Sequence, residues 1–120
     1  MATQTALQPI DVARKAVDVA SDRQASDIVM LDIRKVSDFA DFFVILNAES
    51  TRQIDDLTDE IENVLESLGE TRHHTEGTPD GGWVLLDFGV VIVHIFRPEE
   101  RDYYRLEEAW PGALETVRLL

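Results

Sequence analysis

The sequence predicts a single α/β domain with a mixed central sheet flanked by helices. At 120 residues the chain is long enough for one domain with its own hydrophobic core. Two observations indicate the class. Apolar stripes at helical spacing alternate along the chain with short apolar runs rich in β-branched residues. A predicted helix also separates the second strand from the third, and such a crossover permits parallel as well as antiparallel pairing.

The longest apolar run, residues 83–96, is the segment around which the predicted sheet is organised. It is broken only at 87–89, an Asp-Phe-Gly triplet, which indicates two strands joined as a β-hairpin. The glycine and the density of Val and Ile favour strands over a buried helix. A turn centred on residues 88 and 89 would place Trp83 opposite His94.

The side chains of this predicted hairpin divide into two faces because they alternate with a period of two. The aliphatic face comprises Val84, Leu86, Val91, Val93 and Ile95. The mixed face comprises Trp83, Leu85, Asp87, Val90, Ile92, His94 and Phe96. The first favours helices packed over it, whereas the second suits the core of an interface. The alternative is that Trp83 and His94 are ordinary half-buried residues at the margin of the sheet.

Several elements are predicted before this hairpin. They are a helix from Pro9 to about Asp22, strands over 28–33 and 41–47, and a helix that begins at a capping box over 50–53 and runs to Leu68. A short edge strand through 72–75 and a turn over 78–82 then lead into the hairpin.

The segment after the hairpin is predicted to be helical. A short helix runs from Pro98 to Tyr104, and its apolar pattern continues to Trp110. The Pro-Gly pair that follows breaks the pattern, so residues 113–120 would add one further turn or fray as a tail. The predicted divisions of the chain are a flexible N-terminus (1–8), the domain (9–110) and a C-terminal extension (111–120).

Composition narrows the class of partner. The chain has 24 acidic and 11 basic residues, which gives a formal net charge of −13. Such a field repels a phosphate backbone, so we expect little direct nucleic-acid binding and favour a basic protein as partner. The alternative is that the charge serves only solubility. The same choice applies to the second predicted helix, whose acidic outer face is either a solvated surface or a docking site.

The sequence also indicates a location. It has no cysteine, no apolar run long enough to cross a membrane, and no signal or transit peptide at its start. We therefore expect a cytoplasmic protein without a membrane partner.

Motifs of the common enzyme classes are missing. There is no Gly-x-Ser-x-Gly nucleophile motif, no phosphate-binding loop and no dinucleotide fingerprint. The histidines His73, His74 and His94 lack the spacing of a metal site. Carboxylates near strand ends are common in so acidic a chain and do not by themselves indicate phosphoryl transfer. We therefore expect no catalytic activity, no cofactor and no metal.

An ordered series of segments resembles the ribosomal silencing factor family, RsfS or Iojap, from about residue 10 to 110. The segments are 26–33 (SDIVMLDI), 40–45 (ADFFVI), 50–53 (STRQ), 76–77 (EG), 83–89 (WVLLDFG), 91–96 (VIVHIF) and 104–110 (YRLEEAW). No single segment is specific, but their order and spacing are.

The resemblance implies a fold related to the nucleotidyltransferases, without their activity, and a homodimer when free. It implies binding to the large ribosomal subunit through large-subunit ribosomal protein fourteen, where the small subunit must dock. Translation would then fall when nutrients are scarce. Relatives in organelles are linked to ribosome assembly, so an assembly factor is the first alternative and a residual nucleotidyltransferase-like enzyme the second.

The resemblance also assigns a partner-binding site. Its residues are Trp83, Asp87, His94, Tyr104, Leu106, Glu107, Glu108 and Trp110. We expect Trp83 to be the central apolar anchor, with Tyr104 and Leu106 extending the patch. The three carboxylates would pair with Lys or Arg of the ribosomal protein. For Trp110 the alternative is a residue that caps the core.

Overall fold

A computed structural model describes residues 7–72 and 74–120 as alternating helices and strands. The helices are α1 (Pro9–Asp22), α2 (Thr51–Ser67) and α3 (Pro98–Tyr104), with short 3-10 turns at Pro79–Gly81 and Leu106–Ala109. The strands are β1 (Ser26–Asp32), β2 (Phe42–Asn47), β3 (His74–Thr78), β4 (Trp83–Asp87), β5 (Val91–Phe96) and β6 (Leu114–Leu119). His73 and most of the predicted flexible N-terminus lie outside the described residues.

The six strands form one sheet in the order β3-β4-β5-β2-β1-β6. β2 and β5 are parallel, and every other neighbouring pair is antiparallel. α2 lies in the connection between the two halves of the sheet, which is how β2 and β5 come to run in the same direction. The predicted α/β class with a mixed central sheet is confirmed.

α1 and α2 pack on the aliphatic face of the sheet. The buried side of α1 includes Val12, Ala16 and Ala20, and all five predicted aliphatic residues of the hairpin share one hydrophobic cluster with it. At the start of α2 the Ser50 hydroxyl accepts the Gln53 N–H at 3.1 Å, as the capping motif predicts. Among the described residues, no helix is both long and apolar enough to span a bilayer.

The hairpin has a different register from the predicted one. Trp83 pairs with Phe96 and Leu85 with His94, because the turn is centred on residues 89 and 90. Gly89 takes the first central position of that turn with φ of 84°, a conformation that suits glycine. The predicted pairing of Trp83 with His94 is therefore wrong by two residues. A slip of two keeps every side chain on its face, so the division into aliphatic and mixed faces is confirmed.

The C-terminal segment is neither a helical turn nor a frayed tail, and that prediction is wrong. β6 pairs antiparallel with β1, with Met30 opposite Val117, and so forms one edge of the sheet. The Thr116 hydroxyl also donates to the Met30 carbonyl at 3.1 Å. The strand was hard to predict because only Val117 is half-buried, while the rest of β6 is exposed and follows no clear apolar pattern.

Candidate protein-binding surface

The mixed face carries a connected group of rings that we call the aromatic surface. Its members are Phe39, Phe43, Trp83, His94, Phe96, Tyr103, Tyr104 and Trp110. Strands β2, β4 and β5 supply the central rings. The outer rings come from the loop before β2 (Phe39), from α3 (Tyr103 and Tyr104) and from the segment after α3 (Trp110). Phe43 and Phe96 belong to a second hydrophobic cluster, on the opposite side of the sheet from α1 and α2.

Trp83 is the centre of this surface. Its indole stacks on Phe96 with ring centroids 4.8 Å apart and lies 4.6 Å from the ring of Tyr104. Trp83 is half-buried and Tyr104 remains 49% exposed. A large ring that is held by its neighbours yet open on one side is the arrangement of an interface anchor, because little side-chain entropy remains to be lost on binding.

His94 lies beneath Trp83. Its Nδ1 accepts a hydrogen bond from the Trp83 indole N–H at 3.2 Å, which places the remaining proton of the neutral ring on Nε2. Burial lowers the pKa of His94 to about 3, so the ring is neutral near pH 7. Only 3% of His94 is exposed. His94 is therefore closed to direct contact in the folded chain, and its hydrogen bond fixes the orientation of the Trp83 indole.

His94 Nε2 is the one buried side-chain nitrogen or oxygen of the described residues that has no hydrogen-bond partner. The rings of Phe43 and Phe96 pack around the imidazole at centroid distances of 4.8 and 6.3 Å. An unpaired buried N–H costs free energy, and a residue kept at that cost favours a specific role over simple filling of space.

Trp110 forms the other end of the aromatic surface. It packs edge-on against Phe43 at 5.5 Å and lies 5.4 Å from Phe39. Leu106 joins the same cluster and, like Trp110, is half-buried. Trp110 therefore covers part of this cluster, in agreement with the alternative of a residue that caps the core, while its half-burial leaves its contact with a partner a prediction.

The Glu107 carboxylate is hydrogen-bonded to an arginine of the same chain. Its two carboxylate oxygens accept hydrogen bonds from Arg101 at 2.8 and 3.2 Å. Burial opposes ionisation of this carboxyl, but the hydrogen bonds and charge of Arg101, with those of Arg118, outweigh it and hold the Glu107 pKa below its ordinary value. Arg101 is only 5% exposed and also donates to Asn47 Oδ1 at 2.7 Å. This carboxylate serves the fold directly.

The other two predicted carboxylates lie apart from each other. Asp87 Oδ1 accepts the Gly89 N–H at 2.7 Å, which braces the hairpin turn. Glu108 is exposed and lies 3.6 Å from Arg105. Asp87 pairs with Ile92, four residues from the Trp83 end of β5, so the turn lies roughly 13 Å along the sheet from the Trp83 end. The predicted site is therefore an aromatic centre with acidic groups beyond its ends.

The acidic outer face of α2 is partly paired within the chain. Arg23 lies 3.3 Å from Asp56 and 3.2 Å from Glu60, and Arg72 pairs with Glu62. These contacts favour the solvated interpretation of α2 and leave the aromatic surface as the stronger candidate.

A family model described as "Ribosomal silencing factor during starvation" (RsfS) matches residues 6–119. This chain belongs to the ribosomal silencing factor family. The RsfS of Halalkalibacterium halodurans is 36% identical over 109 residues, covering 91% of this chain and 92% of that protein. A crystal structure of a Chromobacterium violaceum protein is similar with a TM-score of 0.84 at 30% identity, covering 88% of each chain.

A more distant relative carries a different name. The mouse protein named "Mitochondrial assembly of ribosomal large subunit protein 1" is 27% identical over 97 residues, which are 78% of this chain and 42% of that protein. The resemblance of this chain to RsfS and Iojap is confirmed by the family model and the bacterial relative, together with the chloroplast protein Iojap of Zea mays, which is 39% identical over 97 residues.

Several residues of the surface in this RsfS-family chain were missed by sequence reasoning. In the sequence, Phe43 is one of several apolar residues in a buried strand. Because Ile45 pairs with His94, the period of two places Phe43 on the mixed face as well, at the centre of the aromatic surface. The alternation along β2 was visible in the sequence, but the pairing of β2 with β5 was not. Phe39, which is 55% exposed, comes from a loop that no periodicity reveals. Arg101 was also missed, because it is one of several charged residues in a short predicted helix. In the structure it is buried and forms ion pairs with Asp27 and Glu107.

Proposed function

We propose that this RsfS-family chain binds the large ribosomal subunit through its aromatic surface and blocks joining of the small subunit by occupying the docking face. The proposed contact is large-subunit ribosomal protein fourteen, and the proposed site of action is the cytoplasm. The outcome would be lower translation when nutrients are scarce. The observation that carries the proposal is the half-buried, tightly held Trp83 at the centre of an exposed aromatic group in a chain of this family.

Charge supports a basic partner. The formal net charge of −13 gives long-range attraction to a positively charged protein and repulsion from bare ribosomal RNA. Steering of this kind raises the association rate and weakens as salt screens the charges. The aromatic centre would then supply most of the affinity once the two surfaces meet.

Co-sedimentation tests this function. Purified protein is mixed with isolated large or small subunits at low and high salt, and small subunits are then added to preloaded large subunits. We expect binding to large subunits alone, weaker at high salt, and fewer joined ribosomes. Protein that remains at the top of the gradient under both conditions would contradict the proposal, and binding with unchanged joining would contradict the blocking step.

A second candidate is a role in assembly of the large subunit. The name of the mouse relative favours it, and the same aromatic surface would serve. Loss of the protein would then cause immature large-subunit particles to accumulate, whereas a silencing role predicts a change in joined ribosomes without immature particles. Gradient profiles and analysis of particle composition distinguish the two.

We propose further that the protein is not an enzyme and that it is a homodimer when free. A nucleotidyltransferase activity would need nucleotide and Mg²⁺ near the strand ends or the start of α2. A titration with nucleotide and Mg²⁺ that gives heat or spectral shifts at millimolar concentration would overturn the first statement. Sedimentation equilibrium that gives the mass of a single chain would overturn the second.

A further inference from the structure

A small cleft lies beside Trp83 on the mixed face, between β3 and β4. It has a volume of about 220 Å³ and is lined by Glu76, Gly77, Trp83 and Leu85. Glu76 is not part of the predicted partner-binding site. The cleft therefore adds a distinct feature at the edge of the aromatic surface.

The pairing of the two strands explains how the cleft is built. Glu76 lies directly opposite Leu85, so its side chain stands on the mixed face beside the leucine. Gly77 has φ of 81°, and a Cβ at this position would overlap the carbonyl oxygen of Trp83. Only glycine lets β3 approach Trp83 this closely. The lining of the cleft thus combines an aromatic ring, an aliphatic side chain and a carboxylate.

We propose that this cleft receives a lysine or arginine side chain of the protein partner. The inference rests on the proposed function and names the chemistry by which the partner is recognised. The aliphatic stem would lie on Leu85, the cationic head would reach Glu76, and the indole of Trp83 would add a cation–π contact. Long basic side chains combine an apolar stem with a charged tip, and the lining of the cleft has the same two parts.

The hydrogen bonds of Glu76 leave room for this contact. Its Oε2 lies 2.9 Å from His74 Nε2, and within the described residues Oε1 has no hydrogen-bond partner. Asp87 is directly opposite His74 on the same face and adds a second negative charge nearby. The Glu76 side chain is 65% exposed when free, and an apolar side chain in the cleft would remove water from its Oε1 without pairing that oxygen, which costs free energy. A basic side chain pairs the same carboxylate, so charge selects the occupant.

Charge variants at residue 76 test the inference on the ribosome. We expect Glu76→Gln to weaken binding to isolated large subunits by about tenfold and Glu76→Lys by about a hundredfold, because the first removes and the second reverses the attraction. The matched control is Glu66→Lys, which makes the same reversal on the exposed face of α2 and should bind as the unmodified protein does. Unchanged binding of Glu76→Lys would overturn the inference while the proposed function stands.

A second measurement does not depend on the ribosome. The chain has two tryptophans, Trp83 in the cleft and Trp110 at the other end of the aromatic surface, so each protein spectrum contains its own control. Titration with acetyl-arginine amide is followed by the indole N–H signals in nuclear magnetic resonance. We expect the Trp83 signal to shift in the unmodified protein, to stay in place in Glu76→Gln, and to stay in place when acetyl-norleucine amide is used.

The two measurements separate the possible failures. No binding of the unmodified protein to large subunits contradicts the proposed function, and the titration then decides on the cleft alone. Equal shifts of both tryptophan signals, shifts that persist in Glu76→Gln, or no shift at any concentration up to 100 mM overturn the cleft as a site for basic side chains.

Discussion

The indole N–H of Trp83 donates a hydrogen bond to Nδ1 of the buried His94 at 3.2 Å, across two neighbouring strands. Leu85, not Trp83, is the residue directly opposite His94, so the bond runs diagonally over the sheet. One contact thus links the centre of the exposed aromatic surface to a neutral histidine in the hydrophobic core. The sequence predicts that both residues bind a partner, and in the structure Trp83 is half-buried whereas only 3% of His94 is exposed.

The burial of His94 predicts a specific dependence of stability on pH. The pKa of the folded residue is about 3, against an ordinary value of 6.5, because burial disfavours the charged ring. Between these values the unfolded state binds one more proton, so the free energy of unfolding should fall by about 1.4 kcal/mol per pH unit as the pH drops. Above pH 6.5 the ring is neutral in both states, so His94 causes no loss of stability there. Urea denaturation at pH 7.0, 6.0 and 5.5 measures how the free energy of unfolding changes with pH.

His94→Gln is the matched variant for this prediction. Its side-chain oxygen can still accept from the Trp83 N–H, but it has no proton to gain in this range. We expect a smaller loss of stability between pH 7.0 and 5.5 than in the unmodified protein, whatever the absolute stability of the variant. Parallel pH profiles for the two proteins would contradict the assignment to His94.

The aromatic surface predicts which side chains carry the affinity for the large subunit. Trp83→Ala should cost about 2 kcal/mol or more, because it removes a desolvated anchor. Trp83→Phe keeps a ring on Phe96 and should cost less. Leu68→Ala removes an exposed apolar side chain at the end of α2 and should leave affinity unchanged. Equilibrium binding to isolated subunits ranks the variants. Equal losses in Trp83→Ala and Leu68→Ala would exclude Trp83 as the anchor.

Sequence periodicity predicted this site only in part. The alternation of side chains along the hairpin placed Trp83 on the mixed face. This prediction succeeds because the period of two is a local property of each strand. It could not show the contact with Tyr104, since that ring lies at the end of α3 and its position depends on tertiary packing. The hairpin register was missed for a related reason. An Asp-Phe-Gly break fits more than one turn, and only the conformation of Gly89 decides between them.

The pairing of charged side chains within the chain was the feature of the site that the sequence predicted least well. The sequence predicts that Glu107 pairs with a basic residue of the partner, and in the folded chain its carboxylate is paired with Arg101. The sequence shows both residues in one acidic and basic stretch but not that α3 turns Arg101 inward, towards Asn47 and the start of β1. A long-range pairing of this kind is set by the topology of the sheet, and no local pattern records it.

Arg101 predicts a large effect on stability. Arg101→Met keeps the apolar stem but leaves the Glu107 carboxylate and the Asn47 amide without their shared donor. We expect a loss of about 2 kcal/mol or more in the free energy of unfolding, since the change removes the four hydrogen bonds of the buried guanidinium and leaves Glu107 with the weaker contact to Arg118 at 3.5 Å. Arg105→Met removes an exposed arginine four residues later and should change stability by less than about 1 kcal/mol.

Urea denaturation compares the two arginine variants, and the double variant Arg101→Met with Glu107→Gln adds a further check. If part of the loss of stability comes from the Glu107 carboxylate that no longer has Arg101, then Glu107→Gln should recover that part of the free energy of unfolding. Equal stability of Arg101→Met and Arg105→Met would show that the buried network contributes little.

The last prediction concerns the C-terminal strand. Removal of residues 111–120 deletes β6, and with it the ladder to β1, the packing of Val117 and the ion pair between Arg118 and Asp27. We expect the free energy of unfolding to fall by about 3 kcal/mol, from one half-buried valine and several edge hydrogen bonds. Because β1 would then become an exposed edge, the shortened protein should also self-associate more readily. Thermal unfolding and light scattering measure the two effects.

The point variant Val117→Ser tests the packing alone and should lose only part of the stability. A shortened chain as stable and as monodisperse as the full chain would show that the sheet is complete without its sixth strand.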